Sequence, residues 1–122
     1  MLVVDDEIQI AKCLRRLLMR EGFDVEMAFG AHQALDVLER FRPDLVVSDF
    51  RMPAMNGAEL LAEVRRRLPL TVRVIASGYA DLAPVMAGVE VGEICRCFKK
   101  PWDDRELVTE LRGLLDGGEP VP

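Results

Sequence analysis

Long apolar runs are missing from this chain, histidine and cysteine are scarce, and basic residues are outnumbered by acidic ones. None of its hydrophobic stretches approaches the roughly 18 residues of a membrane span, and no secretory leader precedes the first of them. Both absences predict a chain without a membrane partner. Three cysteines cannot all pair and show no compact disulfide framework, which predicts a reduced, cytoplasmic domain. Sixteen Lys and Arg against 21 Asp and Glu leave a net charge of −5, which argues against direct binding of nucleic-acid phosphates. What is present is ordinary for a globular protein. Of the 122 residues, 50% are hydrophobic and 30% charged, too hydrophobic a mixture for disorder. A single domain of this length buries roughly two-thirds of the surface its unfolded chain exposes.

Short β-branched runs alternate with stretches of helical periodicity. Leu2-Val3-Val4 is a first strand that stops at Asp5-Asp6-Glu7. Ala11, Leu14, Leu17 and Leu18 then share a helix face, and Gly22 is its C-terminal stop. Phe23 to Phe29 reads as a second strand. Ala31, Ala34, Leu35 and Leu38 form a second helix that must end before Pro43. Leu45-Val46-Val47-Ser48 is a buried strand ending at Asp49, and Leu60, Leu61, Val64 and Leu68 mark a third helix. Thr71 to Ala76 gives a fourth strand, Asp81 to Val91 a helix with Pro84 in its first turn, and Ile94 to Phe98 a fifth strand. Leu107, Val108, Leu111, Leu114 and Leu115 mark the last helix. Five strand–helix units of this kind predict an α/β fold. Its five-stranded parallel sheet takes the flavodoxin-like order 2-1-3-4-5, with helices on both faces. The predicted domain covers residues 1–116, and the Gly- and Pro-rich residues 117–122 read as a linker or frayed end.

In that strand order the first and third strands end side by side, and here they end at Asp5-Asp6 and at Asp49. Two full charges about 5 Å apart repel by roughly 3 kcal/mol at an effective dielectric near 20. Such a cluster raises the pKa of a member or recruits a cation, and hard oxygen ligands favour Mg²⁺. The competing reading is that Asp5 and Asp6 only cap the first helix. Ser77 at the end of the fourth strand and Lys100 at the end of the fifth tip the balance. An acceptor carboxylate, a metal pocket, a hydroxyl and an ammonium on neighbouring strand ends suit phosphoryl transfer. Asp49 supplies the attacking oxygen, and Mg²⁺ with Lys100 offsets charge on the phosphoryl oxygens.

The stretches Leu2-Val3-Val4-Asp5-Asp6-Glu7, Asp49-Phe50-Arg51-Met52-Pro53-Ala54-Met55-Asn56-Gly57, Ile75-Ala76-Ser77-Gly78 and Lys100-Pro101-Trp102 resemble the receiver domains of two-component response regulators. The likeness spans residues 1 to about 115, with four motifs in matching order and spacing. It implies a phosphoacceptor domain rather than an enzyme, with Asp49 phosphorylated by a histidine kinase or phosphotransfer protein. It further implies that Asp6 binds Mg²⁺ directly and Asp5 through water, with the main-chain carbonyl of Arg51 completing the protein ligands. Ser77 and Lys100 would contact the phosphoryl group, supported by the backbone N–H groups of Phe50 and Gly78. Output would pass through the face made by the fourth helix, fifth strand and fifth helix, with a homodimer forming on phosphorylation. Ser77-Gly78-Tyr79-Ala80-Asp81 with Lys100-Pro101-Trp102-Asp103 looks like receivers fused to cyclic-dinucleotide phosphodiesterases or transcriptional activators, which implies a fused effector domain.

One departure stands out. Three residues before Lys100, where the family usually carries Tyr or Phe, this chain has Cys97, which puts the usual output coupling in doubt. Cys95 and Cys97 are expected on one strand face as buried structural thiols, and Cys13 as a small buried hydrophobe. His32 reads as a surface residue, Arg65-Arg66-Arg67 as a solvated helix end, and Trp102 as packing where Asp103-Asp104 cap the last helix. Arg51 and Tyr79 are expected to flank the phosphoryl group and exclude water, which favours a long-lived acyl phosphate. Two other functions fit less well. An aspartate-nucleophile phosphohydrolase typically has an acid two residues after the nucleophile, and this chain has Arg51. A flavin module would have its phosphate repelled by Asp5-Asp6-Glu7.

Overall fold

The computed structural model describes residues 1–78 and 81–116. The element order is β1 (Leu2–Val4), α1 (Ile8–Arg20), β2 (Glu26–Ala28), α2 (Ala31–Arg40), β3 (Leu45–Asp49), α3 (Gly57–Arg67), β4 (Val72–Ser77), α4 (Leu82–Glu90), β5 (Arg96–Lys99) and α5 (Asp104–Leu115). All strand pairs are parallel, in the order β2-β1-β3-β4-β5. Alternation along the strands splits the core in two. Val3, Val47 and Val74 point to a layer with Leu14 and Leu18 of α1 and Leu107 and Leu111 of α5. Leu2, Val4, Val46 and Ile75 point the other way, onto Leu38 of α2, Leu60 and Val64 of α3 and Val85 of α4.

Several element ends follow from local chemistry. Gly22, at φ +94°, turns the chain after α1, and α2 stops at Arg40, before Pro43. Asn56 and Glu59 form a reciprocal capping box on α3. Asp103 caps α5 by accepting the N–H of Glu106 at 2.9 Å. Trp102 is partly buried against the α1–α5 core.

Other ends differ from the sequence reading. β2 covers only Glu26–Ala28, because it is an edge strand whose sole neighbour, β1, is three residues long. β4 runs one residue later than expected, with the Thr71 hydroxyl tied to the Pro43 carbonyl instead. β5 starts at Arg96, so the strand alternation does not reach Cys95. Cys95 therefore packs with the α1–α5 layer and Cys97 with the opposite one; they do not share a face. Both thiols are half-buried, and Cys13 is exposed on α1 rather than buried, since Ala11, Leu14 and Leu18 fill that helix's inner face. The expected linker, residues 117–122, lies outside the described residues, as does Tyr79. No helix among the described residues is long and apolar enough to cross a membrane.

Candidate functional site

The register of the sheet assembles the acid cluster. β1 ends at Val4 opposite Ser48, and β3 runs one residue further, to Asp49 opposite Ala76 of β4. One carboxylate oxygen from each of Asp5, Asp6 and Asp49 then lies within 4.8 Å of the other two. Asp5 and Asp49 are buried and Asp6 is exposed. Lys100 follows β5, joined to Pro101 by a cis peptide bond, and reaches back across the sheet edge. Its Nζ donates to Asp49 Oδ1 at 2.8 Å and lies 3.5 Å from Asp5 Oδ2.

Asp5 and Asp6 are not simple helix caps. The N-cap of α1 is Glu7, which makes no side-chain cap bond. Asp5 accepts the Glu7 N–H through Oδ1 while turning Oδ2 to Lys100. Burial pushes the Asp49 carboxyl above its usual range, and the charges of Asp5 and Asp6 add to that push. Lys100 opposes the rise without cancelling it. Burial also works against the charge on Lys100, but Asp49 and Asp5 outweigh it and hold the ammonium pKa above normal. Burial foremost, with the neighbouring acids adding to it, thus raises the Asp49 pKa, while the Lys100 ammonium sits against two of the carboxylates.

The donor set fits a hard divalent ion. Opposite ligands of octahedral Mg²⁺ stand about 4.2 Å apart. A carboxylate group within 4.8 Å suits an ion held partly directly and partly through water. Beside the acids opens a cavity of about 620 Å³ lined by Asp6, Arg51, Asn56, Asp81 and Pro84, wide enough for a phosphoryl donor to approach.

Ser77, buried at the end of β4, pairs in register with Lys99 and faces Cys97, its Oγ 3.8 Å from Cys97 Sγ. The Phe50 N–H, expected to support a phosphoryl group, instead donates to the Ala76 carbonyl at 3.1 Å and prolongs the β3–β4 pairing. Arg51 donates from Nε to Asp81 Oδ1 at 2.8 Å. The run Arg65-Arg66-Arg67 is engaged too. Arg66 and Arg67 fold back on Glu63, whose carboxyl they hold down to about 2, and Arg65 donates to the Val91 carbonyl. His32 is exposed on α2.

Two contributors escaped the sequence reading. Asp81 is the partner of Arg51 across 30 residues of chain, and nothing in the spacing announces it. Gly57 donates its N–H to the Phe50 carbonyl at 2.8 Å, and a Cβ built there would lie 2.2 Å from the Asp49 carbonyl oxygen. A glycine opening a helix, where it is a poor helix former, was the available signal.

The profile of the response regulator receiver domain matches residues 1–112. Among characterised relatives, the chain is 39% identical to the hydrogenase transcriptional regulatory protein HoxA of Cupriavidus necator, over 94% of this chain and 24% of that protein. It is 38% identical to the transcriptional regulatory protein CpxR homolog of Haemophilus influenzae, over 94% of this chain and 49% of that one. The chain therefore spans less than half the length of either. The crystal structure of the signal receiver domain of an HD domain-containing protein from Pseudomonas fluorescens superposes with a TM-score of 0.88 at 37% identity, covering 94% of this chain and 92% of that one. With almost the whole chain matched and the acid cluster, Ser77 and Lys100 at adjacent strand ends, the protein belongs to the response regulator receiver domain family.

Proposed function

We propose that Asp49 accepts a phosphoryl group from a histidine kinase or phosphotransfer protein, and that this charge change is the signal. An Asp49 carboxylate oxygen attacks phosphorus as the bond from phosphorus to the donor histidine nitrogen breaks. The observation that carries the reading is the buried Asp49 carboxylate, 2.8 Å from Lys100 and crowded by Asp5 and Asp6, the last of which lines an open cavity. Lys100 is placed to follow the charge from the carboxylate to the transferred group. Ser77 offers a hydroxyl from the neighbouring strand. Asp5, Asp6, Asp49 and the Arg51 carbonyl are the groups that would hold Mg²⁺, which when bound offsets charge on both the acids and the incoming phosphate.

The output is assigned to the face of α4, β5 and α5, since Ser77 leads towards α4 and Lys100 follows β5. The domain spans residues 1–116 of a cytoplasmic regulator whose effector is a separate unit, in keeping with the longer relatives. Incubation with acetyl phosphate and Mg²⁺ followed by mass spectrometry tests the reading. One added phosphate is expected, absent without divalent metal and absent in Asp49→Asn. Phosphate retained by Asp49→Asn would falsify the assignment.

A further inference from the structure

Helix α4 is held differently at its two ends. It has no basic residue in its last turn, yet arginines from other elements grip the carbonyls that follow it. Arg65 of α3 donates to Val91 O at 2.8 Å, and Arg73 of β4 donates to Gly92 O at 3.0 Å and Glu93 O at 2.9 Å. Arg73 is itself buried, with another N–H on Thr71 O at 2.9 Å, so its grip leaves little play. Cations at a helix C-terminus also complement its dipole. The end at Val91–Glu93 is fixed.

At the other end Val85 packs into the core and the Asp81 N–H donates to the Gly78 carbonyl at 3.3 Å, and the side-chain tie among the described residues is an ion pair. Asp81 stands at the N-cap of α4, but its carboxylate makes no cap hydrogen bond there. It accepts from Arg51 instead. The Asp81 side chain is 6% exposed and that of Arg51 is 70% exposed. A buried carboxylate thus depends on a guanidinium that lies largely in water, two residues from Asp49 and on the wall of the same cavity.

A phosphoryl group on Asp49 brings a charge of about −2 and three acceptor oxygens. Arg51 then faces two anions with one guanidinium. If it turns to the phosphoryl group, Asp81 is left as a buried charge without its cation, which is strongly unfavourable. Asp81 has a second use for its carboxylate. As N-cap it can accept the N–H of Ala83, while Pro84, the third helical residue, has no N–H to give. The two arrangements demand different backbone settings at the start of α4.

We propose that the Arg51–Asp81 ion pair is a relay that joins the charge on Asp49 to the first turn of α4, with the arginine-gripped C-terminal end as the pivot. The relay rests on the phosphoacceptor reading of Asp49. It needs no aromatic side chain at position 97, where this chain has cysteine. Asp81 acts through Arg51 and is a positioning residue.

The test is hydrogen exchange along α4 in the full chain, with and without Mg²⁺ and acetyl phosphate, after mass spectrometry has scored phosphate on Asp49. In the parent, phosphate should change exchange in the first turn of α4 several-fold and leave residues 91–93 nearly unchanged. Asp81→Asn should take phosphate and lose that response, and Asp81→Glu, which keeps the charge, should restore part of it. An Asp81→Asn response equal to the parent's, or a phosphorylated parent whose α4 does not respond, overturns the relay alone. A parent that takes no phosphate overturns the phosphoacceptor reading and the relay with it.

Discussion

The Cβ that Gly57 lacks would stand 2.2 Å from the carbonyl oxygen of Asp49 and 3.0 Å from the Asp49 carbonyl carbon. Helix α3 therefore starts flush against the backbone of Asp49, and no side chain fits between them. The neighbour is backbone, so it cannot swing aside.

Gly57→Ala should lower stability by about 2 kcal/mol, the usual cost of overpacking a filled site, despite alanine's better helix propensity. It should also reduce phosphate incorporation, because Asp49 must shift. Gly88→Ala provides the contrast. There the added Cβ meets the side chain of buried Ile94, Cδ1 at 2.5 Å and Cγ1 at 3.0 Å, which can repack where backbone cannot, so a smaller loss of stability and normal incorporation are expected. Urea unfolding of both variants decides the point, and equal losses would show that the Asp49 backbone yields easily.

Asp49→Asn should stabilise the metal-free domain. Burial first, then the charges of Asp5 and Asp6, hold the Asp49 carboxyl above its ordinary 3.8. A carboxyl raised in the folded state stabilises while protonated, below its unfolded value, and that contribution is lost as pH rises through the folded value. Asparagine cannot ionise and avoids the loss. The Tm difference between Asp49→Asn and parent, measured in EDTA, should be small below pH 3.8 and positive above the folded pKa. A difference that is flat with pH would refute the sign.

Lys100→Met should unmask the repulsion among the acids. Without the ammonium, Asp49 and Asp5 lose their cation, and the metal-free domain should be less stable by about 1.5–3 kcal/mol, the range for hydrogen bonds to charged groups. Mg²⁺ should compensate, so the variant should bind Mg²⁺ more tightly than the parent and gain more in Tm from it. Titration calorimetry showing Mg²⁺ binding no tighter than the parent's would mean that Lys100 does not share the carboxylates with the ion.

Cys97→Tyr should strengthen phosphate-dependent association. The Cys97 thiol touches Ser77 at 3.8 Å, and a thiol is too small to fill the space that Ser77 leaves on moving towards a phosphoryl group. An effector shifts an equilibrium only by its differential affinity for the two states, and a larger side chain enlarges that difference. Sedimentation with and without beryllofluoride measures it. A variant that dimerises no more than the parent, with beryllofluoride bound to both, would reject position 97 as a point of coupling.

The strand-end acids were legible because strand order alone brings the ends of β1 and β3 together, and strand order followed from five apolar runs with right-handed crossovers. Ser77 and Lys100 were legible for the same reason. What failed were features set by packing over distance. Cys13 sits in a helical run, but two residues on from Ala11 it turns away from the inner face that Ala11, Leu14 and Leu18 fill, leaving the thiol outside. Cys95 was assigned to a strand face by extending an alternation past the point where β5 begins. The donor role given to Phe50 ignored that β4 runs on opposite it and takes its N–H. Asp81 lay hidden because an ion pair across 30 residues leaves no periodic mark.

Lys100 and Asp5 meet across 95 residues of sequence, and Lys100 and Asp49 across 51. The ammonium arrives only with β5, the last strand to be made and the far edge of the sheet. A nascent or truncated chain ending before β5 has the three acids but not the cation beside them. Such a chain would bear the full self-repulsion of its carboxylates and lack a group that follows the phosphoryl charge. On the phosphoacceptor reading, the site is therefore complete only once β5 has docked against β4.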